Sequence, residues 1–185
     1  MPDKGLFDIH CHIVPSVDDG ASSAEEAYKM LQMEYRQGVR NIIATPHYRL
    51  QMFETPIETV EHQFLVLRQL ARKVAPDLHV YLGCEFHSNM EMVEMLRSGE
   101  VHTMVGSRYV LTEFSGSTKA SYIRERLSSQ RRDFVVCKTT KEKAVRQNGV
   151  MSVVRAKGFI CVKAKPLRGC FASLDPDAST ARLSA

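Results

Sequence analysis

Strand-like and helix-like segments alternate four times along the first 128 residues, and this alternation constrains the fold more than any other feature. Apolar runs typical of buried strands cover residues 5–13, 39–45, 78–86 and 103–114. Apolar positions at helical spacing follow each run, over residues 24–35, 57–74, 92–96 and 120–127. Repeated strand–helix units predict an α/β fold with a parallel sheet, built either as a barrel or as an open doubly wound sheet.

Short polar signals mark where these helices begin and end. Ser22 with Glu25, and Ser88 with Glu91, match the capping box, in which two side chains satisfy amides of the first helical turn. Gly38 ends the first predicted helix. We therefore predict helices that start just after residues 22 and 88.

Length and composition define the general class of protein. The chain has 185 residues, 44% of them hydrophobic and 25% charged, which fits a single soluble globular domain. It contains no run of about 18 uncharged apolar residues, so no membrane insertion is expected. The first residues do not resemble a secretory signal, and five cysteines occur without a C-x-x-C pair. These features predict a cytoplasmic protein with reduced thiols.

The charge distribution divides the chain near residue 128. Residues 1–129 hold 13 basic and 17 acidic side chains, whereas residues 130–185 hold 12 basic and 4 acidic ones. The second block lacks strand–helix periodicity, offers short strand candidates only at 134–137 and 159–162, and ends in a polar stretch (173–185) that predicts disorder. Its basic residues are scattered without interleaved aromatics, so nucleic acid is not expected as a partner.

Side chains that bind metals cluster where the predicted strands end. Because residues i and i+2 of a strand point the same way, His10 and His12 can face one centre. The carboxyl ends of parallel strands meet at one edge of the sheet, so side chains there lie close together. Imidazole nitrogens and carboxylate oxygens are suitable ligands for zinc, manganese or iron. Taken without the other four residues, His10 and His12 have an alternative interpretation: two histidines on a buried strand that hydrogen-bond to the backbone and bind no metal. The predicted ligands at this edge are His10, His12, Asp19, His47, Glu85 and Glu113.

Other catalytic motifs are missing from the sequence. No cysteine has an arginine six positions later, which excludes a cysteine phosphatase loop, and no phosphate-binding P-loop or G-x-S-x-G elbow occurs. Cys11 alternates to the opposite strand face and is expected to be a packed thiol. We interpret His62, His79 and His102 as structural or solvated, whereas His87 could line the pocket.

Four segments resemble the PHP (polymerase and histidinol phosphatase) family, and most closely its branch of bacterial capsule and exopolysaccharide tyrosine-protein phosphatases. They are D-I-H-C-H-I-V-P-S-V-D-D-G, A-T-P-H-Y, G-C-E-F and L-T-E-F-S, within residues 5–128. The resemblance implies a distorted (β/α)7 TIM-like barrel that holds up to three metals, with manganese expected and zinc or iron as alternatives. It implies hydrolysis of phosphotyrosine on a bacterial tyrosine kinase by a metal-activated hydroxide, without a protein nucleophile. By position, His10, His12 and Glu113 would serve one metal, and Asp19, His47 and Glu85 its neighbours.

The sequence departs from this family after residue 128. The family continues with an A-H-P-E-R-Y-like strand end and a late Asp-x-His, and no histidine follows His102 here. Our hypothesis is that residues 1–128 form the N-terminal part of an incomplete barrel, and that a frameshift or truncation replaced the rest with an irregular or disordered block. The alternative function is an inactive fragment that binds metal without turnover. A homo-oligomer remains an open alternative.

Overall fold

Parallel strands in two sheets form the framework of the protein. The computed structural model describes residues 5–130, 134–139 and 160–161. The first sheet has the order β1-β2-β4, the second has the order β3-β5-β6-β7-β8, and every pair is parallel except β7–β8. The strands are β1 Leu6–Cys11, β2 Val39–Ala44, β3 His47–Tyr48, β4 His79–Leu82, β5 Glu85–His87, β6 Tyr109–Glu113, β7 Val135–Thr139 and β8 Ile160–Cys161.

This architecture confirms the predicted α/β class with parallel pairing. The short strands predicted at 134–137 and 159–162 correspond to β7 and β8. Within the described residues the strands form two separate sheets rather than a closed ring. The predicted disordered tail at 173–185 lies outside the described residues.

Four helices connect these strands, and none of the described helices is long and apolar enough to cross a membrane. They are α1 Ala24–Arg36, α2 Ile57–Val74, α3 Met92–Ser98 and α4 Ala120–Gln130. Leu31 of α1 and Leu67 of α2 pack with Ile42 of β2 in the core beside the first sheet. Phe86 and Met92 belong to a second core cluster beside the second sheet.

The predicted capping box of the first helix was wrong by one residue. Ser23, not Ser22, is the N-cap, and its side chain accepts a hydrogen bond from the backbone N–H of Glu26. The Glu26 carboxylate in turn accepts from the backbone N–H and the hydroxyl of Ser22. Two consecutive serines followed by two consecutive glutamates make the two registers indistinguishable in the sequence.

The second predicted capping box, Ser88 with Glu91, was also wrong. Helix α3 begins at Met92, and Glu91 itself is the N-cap, without a side-chain cap. Ser88 is buried, and its hydroxyl accepts a 3.4 Å hydrogen bond from the side-chain amide of Gln130. Ser88 lies too far from this short helix to cap it.

The third predicted strand, 78–86, breaks in two, whereas the second ends before Pro46 as predicted, and both interruptions place site residues. Pro46, which has no N–H to donate, separates β2 from β3, and Gly83 separates β4 from β5. A Cβ atom on Gly83 would lie 2.9 Å from the sulfur of Met104, so a side chain there would crowd the core. After both breaks the chain enters the second sheet, where His47 and Glu85 face each other in register.

A partly buried carboxyl group with a raised pKa lies between α1 and β1. Glu34 of α1 comes within 4.8 Å of Asp8 and Cys11, and one of its oxygens is buried without a hydrogen bond among the described residues. Burial, with a smaller contribution from the charge of Asp8, raises the pKa of Glu34 from 4.5 to about 7. The ionised form is therefore disfavoured in the folded state.

Replacing Glu34 with glutamine should stabilise the protein at alkaline pH and have much less effect at pH 5. The folded state binds the Glu34 proton more tightly than the unfolded state, so wild-type stability falls as pH rises from 4.5 to about 7. Because the group is partly exposed, we expect a gain of only about 1 kcal/mol at pH 8, or about 3 °C in Tm. Thermal unfolding at the two pH values, with exposed Glu58→Gln as control, checks this. An equal shift at both pH values would contradict it.

Candidate metal centre

All six predicted ligands belong to three overlapping groups at strand ends and in the loop after β1. His10 lies near the end of β1, His12 just beyond it, His47 and Glu85 open β3 and β5, and Glu113 ends β6. Within each group the ligand atoms lie within 4.8 Å of one another. The groups are His10, His12 and Glu85; His12, Asp19 and His47; and His47, Glu85 and Glu113.

The Glu85 carboxylate is the centre of this arrangement. Its Oε2 atom lies 3.1 Å from Nε2 of His10, 3.2 Å from Nε2 of His12 and 3.3 Å from Nδ1 of His47. The Nε2 atoms of His10 and His12 are 3.3 Å apart. Metal–ligand bonds of about 2.1 Å separate neighbouring ligands by about 3.0 Å in an octahedron and about 3.4 Å in a tetrahedron. The spacings fit residues that share a divalent cation.

His47 gives an independent indication of the same kind. Its Nδ1 atom is buried and has no hydrogen bond among the described residues, although it faces Glu85. Its Nε2 atom lies 3.8 Å from a carboxylate oxygen of Asp19. A buried ring nitrogen without a hydrogen bond is costly unless another partner satisfies it. A metal ion beside Glu85 would satisfy this atom.

Asp18 is a site residue whose role the sequence analysis missed. Its fully buried side chain is 2.8 Å from Nδ1 of His12 and accepts hydrogen bonds from the backbone N–H groups of His47 and Gly20. A carboxylate on the second ring nitrogen of a ligating histidine fixes its orientation. The signal in the sequence was the adjacent pair Asp18-Asp19, of which only Asp19 was assigned.

The electrostatics of the centre favour positive charge. Burial disfavours the charged imidazole of His12, but hydrogen bonds and charge from Asp18 and Glu85 dominate and raise its pKa to about 10. Burial likewise opposes ionisation of Asp18, yet its hydrogen bonds with His12 and His47 lower its pKa. Carboxylates thus create a field at the strand ends that stabilises a cation.

Gly20 lets the loop that carries Asp18 and Asp19 approach β1. A Cβ atom at position 20 would lie 2.0 Å from the carbonyl oxygen of His12. The next residue, Ala21, donates a backbone hydrogen bond to that same oxygen. Close backbone contact at this point therefore requires glycine and holds Asp18 against His12.

The remaining predictions have mixed outcomes. Cys11 is buried, as expected for a packed thiol. Among the described residues, Glu113 is grouped with His47 and Glu85, and no group joins it to His10 and His12. The distribution of ligands among individual metals therefore stays a prediction. His87 contacts Ser115 at 3.0 Å and belongs to none of the groups.

Parallel strands that present histidines and carboxylates at one edge define a mixed α/β protein with a candidate metal centre. Comparison with known families then identifies the lineage. Residues 6–134 match the model of the family described as capsular polysaccharide synthesis, CpsB/CapC. The chain belongs to this CpsB/CapC family.

Individual relatives agree with this assignment. Over 124 residues the chain is 44% identical to tyrosine-protein phosphatase CpsB of Streptococcus pneumoniae. The match covers 67% of this chain and 51% of the relative. The chain is 33% identical over 109 residues to tyrosine-protein phosphatase YwqE of Bacillus subtilis. This match covers 59% of this chain and 43% of the relative. The chain spans about half the length of the curated relatives it matches.

A solved structure shares the fold. It belongs to a study of YwqE from Bacillus subtilis and CpsB from Streptococcus pneumoniae, described as metal-dependent tyrosine phosphatases. The TM-score is 0.65 at 28% identity, over 71% of this chain and 53% of the other.

Proposed function

We propose that residues 1–128 form the N-terminal part of a distorted (β/α)7 PHP barrel, and that the protein is a metal-dependent phosphatase acting on phosphotyrosine in proteins. The observation that carries the proposal is the Glu85 carboxylate, approached by three imidazole rings at the strand ends. Family membership and the names of the relatives support the substrate class. The boundary at residue 128 belongs to this proposal, and beyond it α4 ends at Gln130 and β7 continues the parallel pairing with β6.

The side chains divide the work of the site between binding and positioning. His10, His12 and Glu85 would hold one cation, and the two further groups, His12 with Asp19 and His47, and His47 with Glu85 and Glu113, could hold neighbouring ones. A divalent cation bound here would lower the pKa of water and neutralise phosphate oxygens. Asp18 orients the His12 ring through its 2.8 Å contact. No protein nucleophile is needed for this chemistry.

The cofactor and the biological setting follow from the same family. We assign manganese as the metal, with zinc or iron as alternatives that the same donors accept. The substrate we propose is a bacterial tyrosine kinase that regulates capsule or exopolysaccharide synthesis, in the cytoplasm. Support comes from the family description and from the relatives' names.

A second candidate function is metal binding without turnover. It is favoured by one observation: residues 103–185 contain no histidine. In this candidate the six proposed ligands would still hold a metal, and residues 129–185 would add no imidazole to the site.

Release of phosphate from a phosphotyrosine peptide separates the two candidates. We expect turnover with Mn²⁺, its loss in EDTA, and a decrease of about 100-fold or more in His10→Ala, because that variant loses a proposed ligand. His62→Ala, on the exposed face of α2, is the matched control and should retain wild-type activity. Bound metal without turnover would favour the second candidate, and turnover that persists in EDTA would refute the metal mechanism.

A further inference from the structure

A five-residue turn borders the candidate metal centre, and the proposed catalysis assigns it no role. Residues 49–53, here called the rim turn, follow β3 directly after His47 and Tyr48. Arg49 and Phe53 form an antiparallel bridge in which each backbone N–H donates to the other's carbonyl at 2.8 Å. The backbone N–H of Met52 also donates to Arg49. These bonds fix the turn beside the site.

The alternation of side chains places both ends of the rim turn on the side that His47 occupies. Residues two apart on an extended strand point the same way, so Arg49 shares a side with His47. Residues opposite each other in an antiparallel bridge also share a side, so Phe53 joins them. The Phe53 ring confirms the placement of Phe53, because it stacks on the His47 ring with centroids 5.2 Å apart and planes 9° apart.

The chemistry of the rim turn differs from that of the metal centre. The Arg49 guanidinium has no hydrogen bond or ion pair with any residue that the structure describes, although the residue is half-buried. Two neighbouring apolar side chains, Leu50 and Met52, are 38% and 59% exposed. The turn thus offers a cation, an aromatic ring and apolar surface beside a cluster of carboxylates and imidazoles.

We propose that the rim turn recognises the aryl phosphate group, with Phe53 packing against the substrate's aromatic ring and Arg49 pairing with its phosphate. This inference rests on the proposed phosphotyrosine substrate. An arginine fork matches phosphate oxygens, and offset aromatic contacts favour an aryl ester over an alkyl one. If the phosphate group binds at His47, the aromatic ring of the substrate lies next to Phe53. Phe53 and Arg49 are therefore specificity-determining residues and do not ligate the metal.

Three variants test the proposal with one non-hydrolysable probe and two substrates. The probe is a peptide carrying phosphonodifluoromethyl-phenylalanine, whose binding to the Mn²⁺-loaded full chain is measured by calorimetry. Phe53→Leu should weaken binding and raise KM for a phosphotyrosine peptide about tenfold, with KM for a phosphoserine peptide unchanged. Phe53→Tyr should restore both values. Arg49→Met should weaken binding of the probe about tenfold or more.

Metal content and a charge-matched control identify the cause of any loss. Bound Mn²⁺ should stay at the wild-type level in each variant, since neither side chain is a ligand. Lys119→Met removes an exposed positive charge from the loop between β6 and α4 and should leave probe binding unchanged. Loss of Mn²⁺ in Phe53→Leu would overturn the proposal, because Phe53 would then act only by supporting His47. Equal losses in Lys119→Met and Arg49→Met would overturn the role of Arg49.

The outcomes also separate this inference from the proposed activity. Probe binding without turnover, weakened in Phe53→Leu and Arg49→Met, would support the rim turn and refute phosphatase activity of this chain. Turnover with unchanged binding and KM in both variants would refute the rim turn alone. A wild-type chain that neither binds the probe nor turns over phosphotyrosine would refute both.

Discussion

Glu85→Gln should abolish tight metal binding and, with it, the proposed phosphatase activity. The carboxylate is only 3% exposed and lies within 3.3 Å of ring nitrogens of three histidines. Glutamine keeps the shape but removes the negative charge and replaces one oxygen with an NH₂ group, which cannot ligate a cation. We expect Mn²⁺ affinity to fall about 100-fold or more, since replacing mere supporting residues already costs 10–100-fold.

Titration of the apo protein with Mn²⁺, monitored by calorimetry, measures this effect. Glu58→Gln, an exposed glutamate in α2, has the same chemical change away from the site and should bind Mn²⁺ like the wild type. Thermal unfolding in EDTA guards against a trivial loss of structure. Folded Glu85→Gln protein with wild-type Mn²⁺ affinity would show that this carboxylate does not organise the centre.

Asp18→Asn should have the second largest effect, although Asp18 need not touch the metal. The carboxylate holds Nδ1 of His12 at 2.8 Å and also accepts from the backbone of His47. Asparagine has one acceptor oxygen where aspartate has two, so it cannot accept all of these hydrogen bonds in one orientation of its amide. It also carries no charge to polarise the imidazole ring. We expect Mn²⁺ affinity to fall 10–100-fold, with the overall fold retained.

A matched aspartate is available as the control for this second prediction. Asp77 also accepts side-chain hydrogen bonds, from Arg40 at 3.1 Å and Tyr35 at 3.0 Å, at a position remote from the strand ends that carry the centre. Asp77→Asn should leave Mn²⁺ binding unchanged. If both variants bind Mn²⁺ with wild-type affinity, Asp18 has no positioning role and the His12 ring is held by other contacts.

The convergence of the candidate ligands could be predicted because it depends on topology alone. Parallel strands joined by helices bring their carboxyl ends together, so His47, Glu85 and Glu113 needed only to lie at or just after the ends of three buried runs. The i, i+2 spacing of His10 and His12 on an extended segment likewise brings these two side chains to the same face. None of these inferences required knowledge of side-chain packing.

The finer features depended on contacts between distant segments and escaped prediction. The continuous apolar run over 78–86 gave no sign of a break at Gly83, and the run over 39–45 gave no sign that a strand of another sheet would follow Pro46. That switch sets His47 opposite Glu85 in register. The role of Asp18 also emerged only from the folded loop, in which Gly20 brings it against β1. The sequence does not show which of two adjacent aspartates has its side chain buried, because that depends on the backbone conformation of the folded loop.

The most direct measurement is an anomalous difference map from a crystal of the full chain soaked in Mn²⁺, recorded near the manganese absorption edge. The account predicts a peak at coordination distance, about 2.0–2.3 Å, from His10 Nε2, His12 Nε2 and a Glu85 oxygen. A second peak is expected beside His47. Strong manganese peaks elsewhere on the protein, with no density among these side chains, would contradict the account.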